Sequence, residues 1–207
     1  MHRSIREALG VLWPRECAGC GAPDHGVCRA CAAVFGTTHV EHRGDVRVAW
    51  AATYDGAARA VVLAAKEEGR GSATRLLAST LRRLVDEVAS GEDDTPLVVL
   101  VPASREGTRR RGFVPVRVLA RRAGMRWIEL VQVADGQQKR QGREARLHRA
   151  AFRVRTRDAP RIDGARVVVV DDVATTGATL REAVAAARAG GAHVVAAVVV
   201  ARVPRHG

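Results

Sequence analysis

The sequence predicts an α/β fold with a parallel-sheet core and a small N-terminal knuckle built on four cysteines. Three observations carry this. Short, wholly apolar runs rich in β-branched residues occur at Val167–Val170, Leu97–Val101 and Val194–Val200, the mark of strands buried on both faces. Stretches with helical spacing of apolar residues lie between them, and this alternation of strand and helix implies a parallel sheet. All four cysteines of the chain fall between positions 17 and 31, as Cys17-Ala-Gly-Cys20 and Cys28-Arg-Ala-Cys31.

A chain of 207 residues holds one domain plus an appendage. The natural division is a knuckle unit over residues 1–40 and the α/β domain over 41–207. Hydrophobic residues make up 47% and aromatics 3%, so the core must be built of valine, alanine and leucine. The formal net charge is +12 and is carried by arginine, because Lys66 and Lys139 are the only lysines. An arginine and alanine excess reads as composition before it reads as a nucleic-acid footprint, although a basic face fits both. No secretory apolar segment and no apolar run near about 18 residues is present. The expectation is a soluble, cytoplasmic protein without membrane insertion.

In chain order, Ile5 to Trp13 has the spacing of a short amphipathic helix ended by Pro14. The cysteines follow, two C-x₂-C pairs separated by seven residues. Thiolates at this spacing suit tetrahedral zinc, and a segment with so little core would gain its fold from the metal. Two disulfides are the alternative, disfavoured in a reducing compartment; a redox pair would need only one C-x-x-C. His25, inside the spacer, reads as a solvated loop residue. Val46 to Tyr54 reads as one or two strands. Ala57 to Glu67 is a helical stretch carrying Lys66, a lysine retained where arginine is the rule. Thr74 to Val88 is a second helix with a leucine and valine stripe, and residues 90–96 are a polar connection. After the Leu97–Val101 strand, Arg105 to Arg111 reads as a basic loop, and Pro115 as the first residue of a helix. Arg126 to Val133 resembles a third strand. Residues 135–148 read as a mobile polar loop, and Ala151 to Arg155 as a short strand.

The stretch Arg166 to Leu180, R-V-V-V-V-D-D-V-A-T-T-G-A-T-L, carries the chemistry. The valines make the strand, Asp171 and Asp172 fall where it is expected to end, and Thr175, Thr176, Gly177, Ala178 and Thr179 open a helix. A turn rich in glycine and threonine at a helix N-terminus presents N–H groups and hydroxyls to an anion of phosphate size. An ordinary capped turn needs one such residue and this one has several. It is neither G-x-G-x-x-G nor a lysine-bearing triphosphate loop. The arginines of 105–111 sit beside another strand end, where α/β sheets bind ligands.

This stretch resembles the PRPP-binding motif of type I phosphoribosyltransferases. The order of features extends the resemblance over nearly the whole chain: the cysteine pairs, Y-D-G-A-A-R-A-V-V-L-A-A-K, V-P followed by R-R-R-G-F, then D-D-V-A-T-T-G-A-T-L. In that order they resemble the ComF family, phosphoribosyltransferase-like proteins linked to bacterial competence. The resemblance implies a phosphoribosyl transfer from PRPP with Mg²⁺. Asp171 and Asp172 would hold the ribose hydroxyls, and Val173 to Thr179 would surround the 5′-phosphate. Lys66 and the Arg110-Arg111-Gly112 segment would face the pyrophosphate, and a hood over residues 137–146 would close the site. It also implies structural zinc at Cys17, Cys20, Cys28 and Cys31. Val114-Pro115 and Ala150 depart from the family pattern. A different class of reading is a PRPP- or nucleotide-binding accessory protein without turnover, contacting single-stranded DNA or competence proteins. Seven aromatic residues in the whole chain are few for a stacking groove.

Overall fold

The computed structural model describes residues 16–23, 26–90, 95–133 and 152–204. The expected helix at 5–13, His25, most of the 90–96 connection and the hood over 137–146 lie outside the described residues.

Eight strands and seven α-helices are described. The strands are β1 (His39–Arg43), β2 (Val46–Thr53), β3 (Leu97–Leu100), β4 (Trp127–Glu129), β5 (Val131–Gln132), β6 (Phe152–Arg153), β7 (Arg166–Ala174) and β8 (His193–Arg202). The helices are α1 (Arg29–Ala33), α2 (Gly56–Lys66), α3 (Gly71–Ala89), α4 (Arg105–Arg111), α5 (Pro115–Arg122), α6 (Ala159–Ile162) and α7 (Ala178–Ala189). The main sheet runs β1-β2-β8-β7-β3-β4, while β5 and β6 form a separate antiparallel pair. Every neighbouring pair in the main sheet is parallel except β1 with β2. The doubly covered, mostly parallel α/β core is the predicted one.

The apolar runs explain the layering. Successive side chains alternate across a strand, so Val168 and Val170 join the layer under α2, α3 and α5, with Val98, Leu100, Ala196 and Val198. Val167 and Val169 join the opposite layer under α7, with Val99, Ala197 and Val199. All of these are buried. Four valines in a row are therefore two faces of one strand, each with its own helix layer. Among the described residues no helix is long and apolar enough to cross a membrane.

Four local expectations need correction. β1 has no counterpart among the expected elements; its His39–Arg43 sequence is largely polar and buries no face, being the antiparallel edge of the sheet. The basic segment 105–111 is a helix, not a loop. Ser104 caps it by accepting from the Gly107 N–H at 3.1 Å, Glu106 lies in its first turn, its arginines in the last, and Gly112 closes it at φ 73°. The stretch 126–133 divides between two sheets, as β4 and β5. The central strand does not end at the acids: β8 is long enough to pair with β7 through Val173 and Ala174.

Candidate functional site

The site is set by a difference in strand length. β3 pairs with β7 only as far as Leu100 opposite Val170, whereas β8 follows β7 on to Ala174. Beyond Val170, β7 overhangs its neighbour and leaves a crevice at the C-terminal ends of the strands, where open α/β sheets bind ligands. Asp171 and Asp172 stand on that overhang. Alternation along the strand sends Asp172 toward the same face as Val168 and Val170, where α2 packs. Lys66 is the last residue of α2, and its Nζ lies 2.8 Å from Asp172 Oδ2. Asp171 Oδ1 accepts a hydrogen bond from the Asp172 N–H at 2.8 Å. Burial first, and then the neighbouring Asp172 charge, push the Asp171 carboxyl up to about 8.

The next residue of the chain makes the second link. Glu67 accepts from Arg110 at 2.9 Å and from Arg111 at 3.1 Å. Burial alone would raise the Glu67 carboxyl, but the two guanidinium groups outweigh it and hold it below the ordinary carboxylate range. Arg111 is almost wholly buried, with its side chain 7% exposed, and Arg110 is open at 68%. Two adjacent residues at the end of α2 thus tie the acid pair of β7 to the basic helix α4. Sequence reasoning singled out Lys66, Arg110, Arg111 and Asp172 but not Glu67, which is the group that joins them. Gly112 serves as the left-handed stop of α4.

The turn itself is three residues, Thr175 to Gly177. Val173 and Ala174 still pair with Ala201 and Arg202, while Ala178 and Thr179 are already in α7. Gly177 has φ 76°, a conformation for which glycine carries no steric cost. A Cβ there would also stand 3.2 Å from Arg43 Nη1. The Thr176 hydroxyl accepts from the Ala178 N–H at 3.3 Å. Its carbonyl accepts from Arg43 at 3.2 Å and from Arg181 at 3.4 Å, which turns that oxygen toward β1. The start of a helix leaves N–H groups without intrahelical partners. A carbonyl drawn aside by two arginines leaves the turn to its donors, the condition for holding an anion.

The cysteines form a second, separate group. The Sγ atoms of Cys17, Cys20, Cys28 and Cys31 all lie within 4.8 Å of one another, and all four thiols are free. Cys20 and Cys28 Sγ are 3.7 Å apart; the edge of a tetrahedron with zinc–sulfur bonds of about 2.3 Å is about 3.8 Å. Cys17 Sγ accepts from the N–H groups of Cys28 at 3.2 Å and Gly19 at 3.4 Å, and Cys28 Sγ from that of Cys31 at 3.5 Å. Burial opposes ionisation of Cys17, but its backbone donors prevail and lower the thiol to about 6. Burial raises Cys31. Gly19 is required by approach: a Cβ there would sit 2.6 Å from Cys31 Sγ. The donor set fits a tetrahedral thiophilic ion.

The phosphoribosyl transferase domain model matches residues 74–206. No curated protein matches the chain. Among solved structures, it resembles a phosphoribosyltransferase from Corynebacterium diphtheriae at 20% identity and TM-score 0.38, covering 68% of this chain and 69% of that one. Orotate phosphoribosyltransferase from Aeropyrum pernix gives 24% identity and TM-score 0.40, with 70% of this chain and 64% of that one covered. Adenine phosphoribosyltransferase from Leishmania donovani gives 16% and 0.43, with 86% and 69% covered. The matched model spans well over half of the sequence, from within α3 to beyond β8, and takes in the strand, the acid pair and the turn: the chain belongs to the phosphoribosyl transferase domain family.

Proposed function

We propose that the chain is a ComF-type phosphoribosyltransferase of the cytoplasm, linked to natural competence, that moves a phosphoribosyl group from PRPP to an acceptor and releases pyrophosphate. The observation that carries this reading is the meeting of Lys66 with Asp172 at 2.8 Å beside the Thr175–Gly177 turn. Packing alone gives no reason for a cation, an acid pair and a phosphate-sized turn from separate elements to converge on one strand end. In this reading Val173 to Thr179 surround the 5′-phosphate. Asp171 and Asp172 hold the ribose hydroxyls, and the Asp172 carboxylate offsets the positive charge that grows at the anomeric carbon as its bond to pyrophosphate breaks. Lys66 leaves Asp172 and, with Arg110, Arg111 and the Gly112 backbone, receives the departing pyrophosphate.

Among the described residues the cysteines are the one group of three or more metal-capable side chains. The acid pair offers no all-protein cage, and it fits Mg²⁺ carried in by the ligand's pyrophosphate and hydroxyls, supplying neutralisation of the leaving group. The four cysteines hold one structural Zn²⁺, closing a knuckle over residues 1–40 ahead of the transferase domain over 41–207.

The test is pyrophosphate release from PRPP and Mg²⁺ across a panel of purine, pyrimidine and other nitrogenous acceptors. Release with one class of acceptor, lost in Thr176→Val, is the expected result. Tight PRPP binding with no release from any acceptor would leave a binding protein instead.

One observation favours that second reading, an accessory protein that contacts single-stranded DNA. At the β4 edge Arg117, Arg155, Arg157 and Arg161 surround Trp127, and among the described residues lining this surface the acids are Glu129 and Asp158. A cationic surface with one aromatic would bind strands weakly and in a strongly salt-dependent way. Oligothymidine binding that is unaltered when Arg157→Gln and Arg161→Gln are combined would remove this reading.

A further inference from the structure

Beside the Thr175–Gly177 turn, on the α7 face of the sheet, lies a cavity of about 220 Å³. Its apolar wall is Val46 and Val48 of β2, Leu180 and Val184 of α7, and Ala197 of β8. Its mouth is charged: Arg43, Arg181, Arg188 and Arg202 face Glu41 and Asp45. Ala174, Thr175 and Gly177 also line it, whereas Lys66, Asp172, Arg110 and Arg111 do not, so it shares the turn as a wall with the ligand crevice but lies on the side away from Lys66 and Asp172.

The charges at the mouth are unequally satisfied. Glu41 is paired with both Arg43 and Arg202, and these two arginines hold its carboxyl below the ordinary range although burial would raise it. Asp45 is paired with Arg188 at 2.7 Å. Both acids are thus spent on arginines. Arg181 meets only the Thr176 carbonyl at 3.4 Å, with no carboxylate partner among the described residues. An apolar pocket whose unspent charge is a guanidinium selects a small molecule with an apolar body and one anionic group.

We propose that this cavity is a binding site for a small amphipathic anion, a carboxylate or phosphate on a compact ring or branched chain, and that its occupancy is coupled to the neighbouring turn. The coupling runs through one atom. Arg43 and Arg181 both donate to the Thr176 carbonyl, and an anion in the cavity competes for the same guanidinium groups. A released carbonyl is free to turn toward the anion side of the loop, where it repels phosphate. Occupancy of the cavity and of the turn therefore oppose each other, and by linkage each weakens the other by the same factor. The coupling rests on the phosphate reading of the turn; binding in the cavity does not.

The test uses the full chain with labelled valine and leucine methyl groups, titrated with phenylacetate. Saturable shifts of Val48, Leu180 and Val184 are expected, with no such shifts from phenethylamine, which has the same ring and the opposite charge. Arg181→Gln, an exposed substitution that leaves the core intact, should weaken phenylacetate about tenfold, the scale of one charge-assisted hydrogen bond. Arg188→Gln, whose partner is already Asp45, should change it much less. Inorganic phosphate should then bind several-fold more weakly to the phenylacetate-saturated protein. Absence of saturable shifts at millimolar phenylacetate, or equal shifts from phenethylamine, overturns the site. Shifts that survive Arg181→Gln unchanged overturn the anion assignment. Unchanged phosphate affinity overturns the coupling alone. Failure of phosphoribosyl transfer bears on none of the methyl shifts, so the two readings fail separately.

Discussion

The cysteine cluster and the strand-end crevice collect chemistry in opposite ways. The cluster is complete within fifteen residues, from Cys17 to Cys31, and what holds it is the backbone of the same short loop, through N–H donors to sulfur. The crevice draws on α2, α4, β7 and the start of α7, over a hundred residues apart, and is held by a sheet that folds for its own hydrophobic reasons. A local site can be written in spacing alone, and it stands or falls with its ion. A site assembled by topology outlasts the loss of any one of its members.

The largest effect that would sharpen this comparison is removal of the zinc proposed for the cluster. Structural zinc contributes on the order of 10 kcal/mol to the fold it closes. Elemental analysis should find one zinc per chain, and Cys28→Ser or a strong chelator should open residues 16–36 to protease while the sheet keeps its cooperative unfolding. Intact disulfides in metal-free protein would break the contrast. At the crevice, by comparison, Asp172→Asn and Thr176→Val should each weaken PRPP in titration calorimetry by about 1–3 kcal/mol with little change in melting temperature. Lys66→Ala should weaken PRPP and spare ribose 5-phosphate. Unaltered PRPP affinity in all three would reduce the turn to a plain connection.

A smaller effect is the pH response of the acid pair. The folded chain holds the Asp171 proton up to about 8, against an ordinary 3.8, so the unfolded chain releases it first. The contribution of this group to stability is full below the ordinary value and is lost as pH rises through the folded one. Asp171→Asn abolishes that loss. Urea midpoints of the two proteins should therefore diverge between about pH 5 and 8, increasingly in favour of the variant. Parallel curves would show that Asp171 ionises normally.

The smallest effect belongs to Glu67. Its pair with the open Arg110 is worth no more than about 1 kcal/mol to stability, and glutamine keeps an acceptor for the buried Arg111. Glu67→Gln frees two cations beside Lys66, and PRPP should bind a few-fold more tightly, read by calorimetry. Weaker binding would make Glu67 a contributor to the site instead of a restraint on it.

The same contrast decides which features are legible in the sequence. The cysteine spacing, the valine run with its acids and the threonine-glycine turn are local patterns, and each forms its element. Local signals for α4 are also present in Ser104, Glu106, the terminal arginines and Gly112, but a run of charge masks the capping pattern. β1 has no signal of its own, because an edge strand without a buried face shows no apolar alternation. The overhang of β7 is not legible either: strand length there is set by β8, not by the residues of β7. Nor does the sequence show that Lys66 meets Asp172, or that Glu67 gathers Arg110 and Arg111. Those are facts of which helix lies on which face.

The arginine bias has a practical consequence. Apart from the chain's own amino terminus, primary amines occur only at Lys66 and Lys139, and Lys66, 29% exposed, is engaged with an acid at the strand end. Acylating reagents of the kind used for footprinting meet many targets on a protein with ordinary lysine content. Here the side-chain targets are only two, told apart by the peptides that carry them, so the rate at which Lys66 is labelled gives a direct mass readout of whatever occupies the crevice.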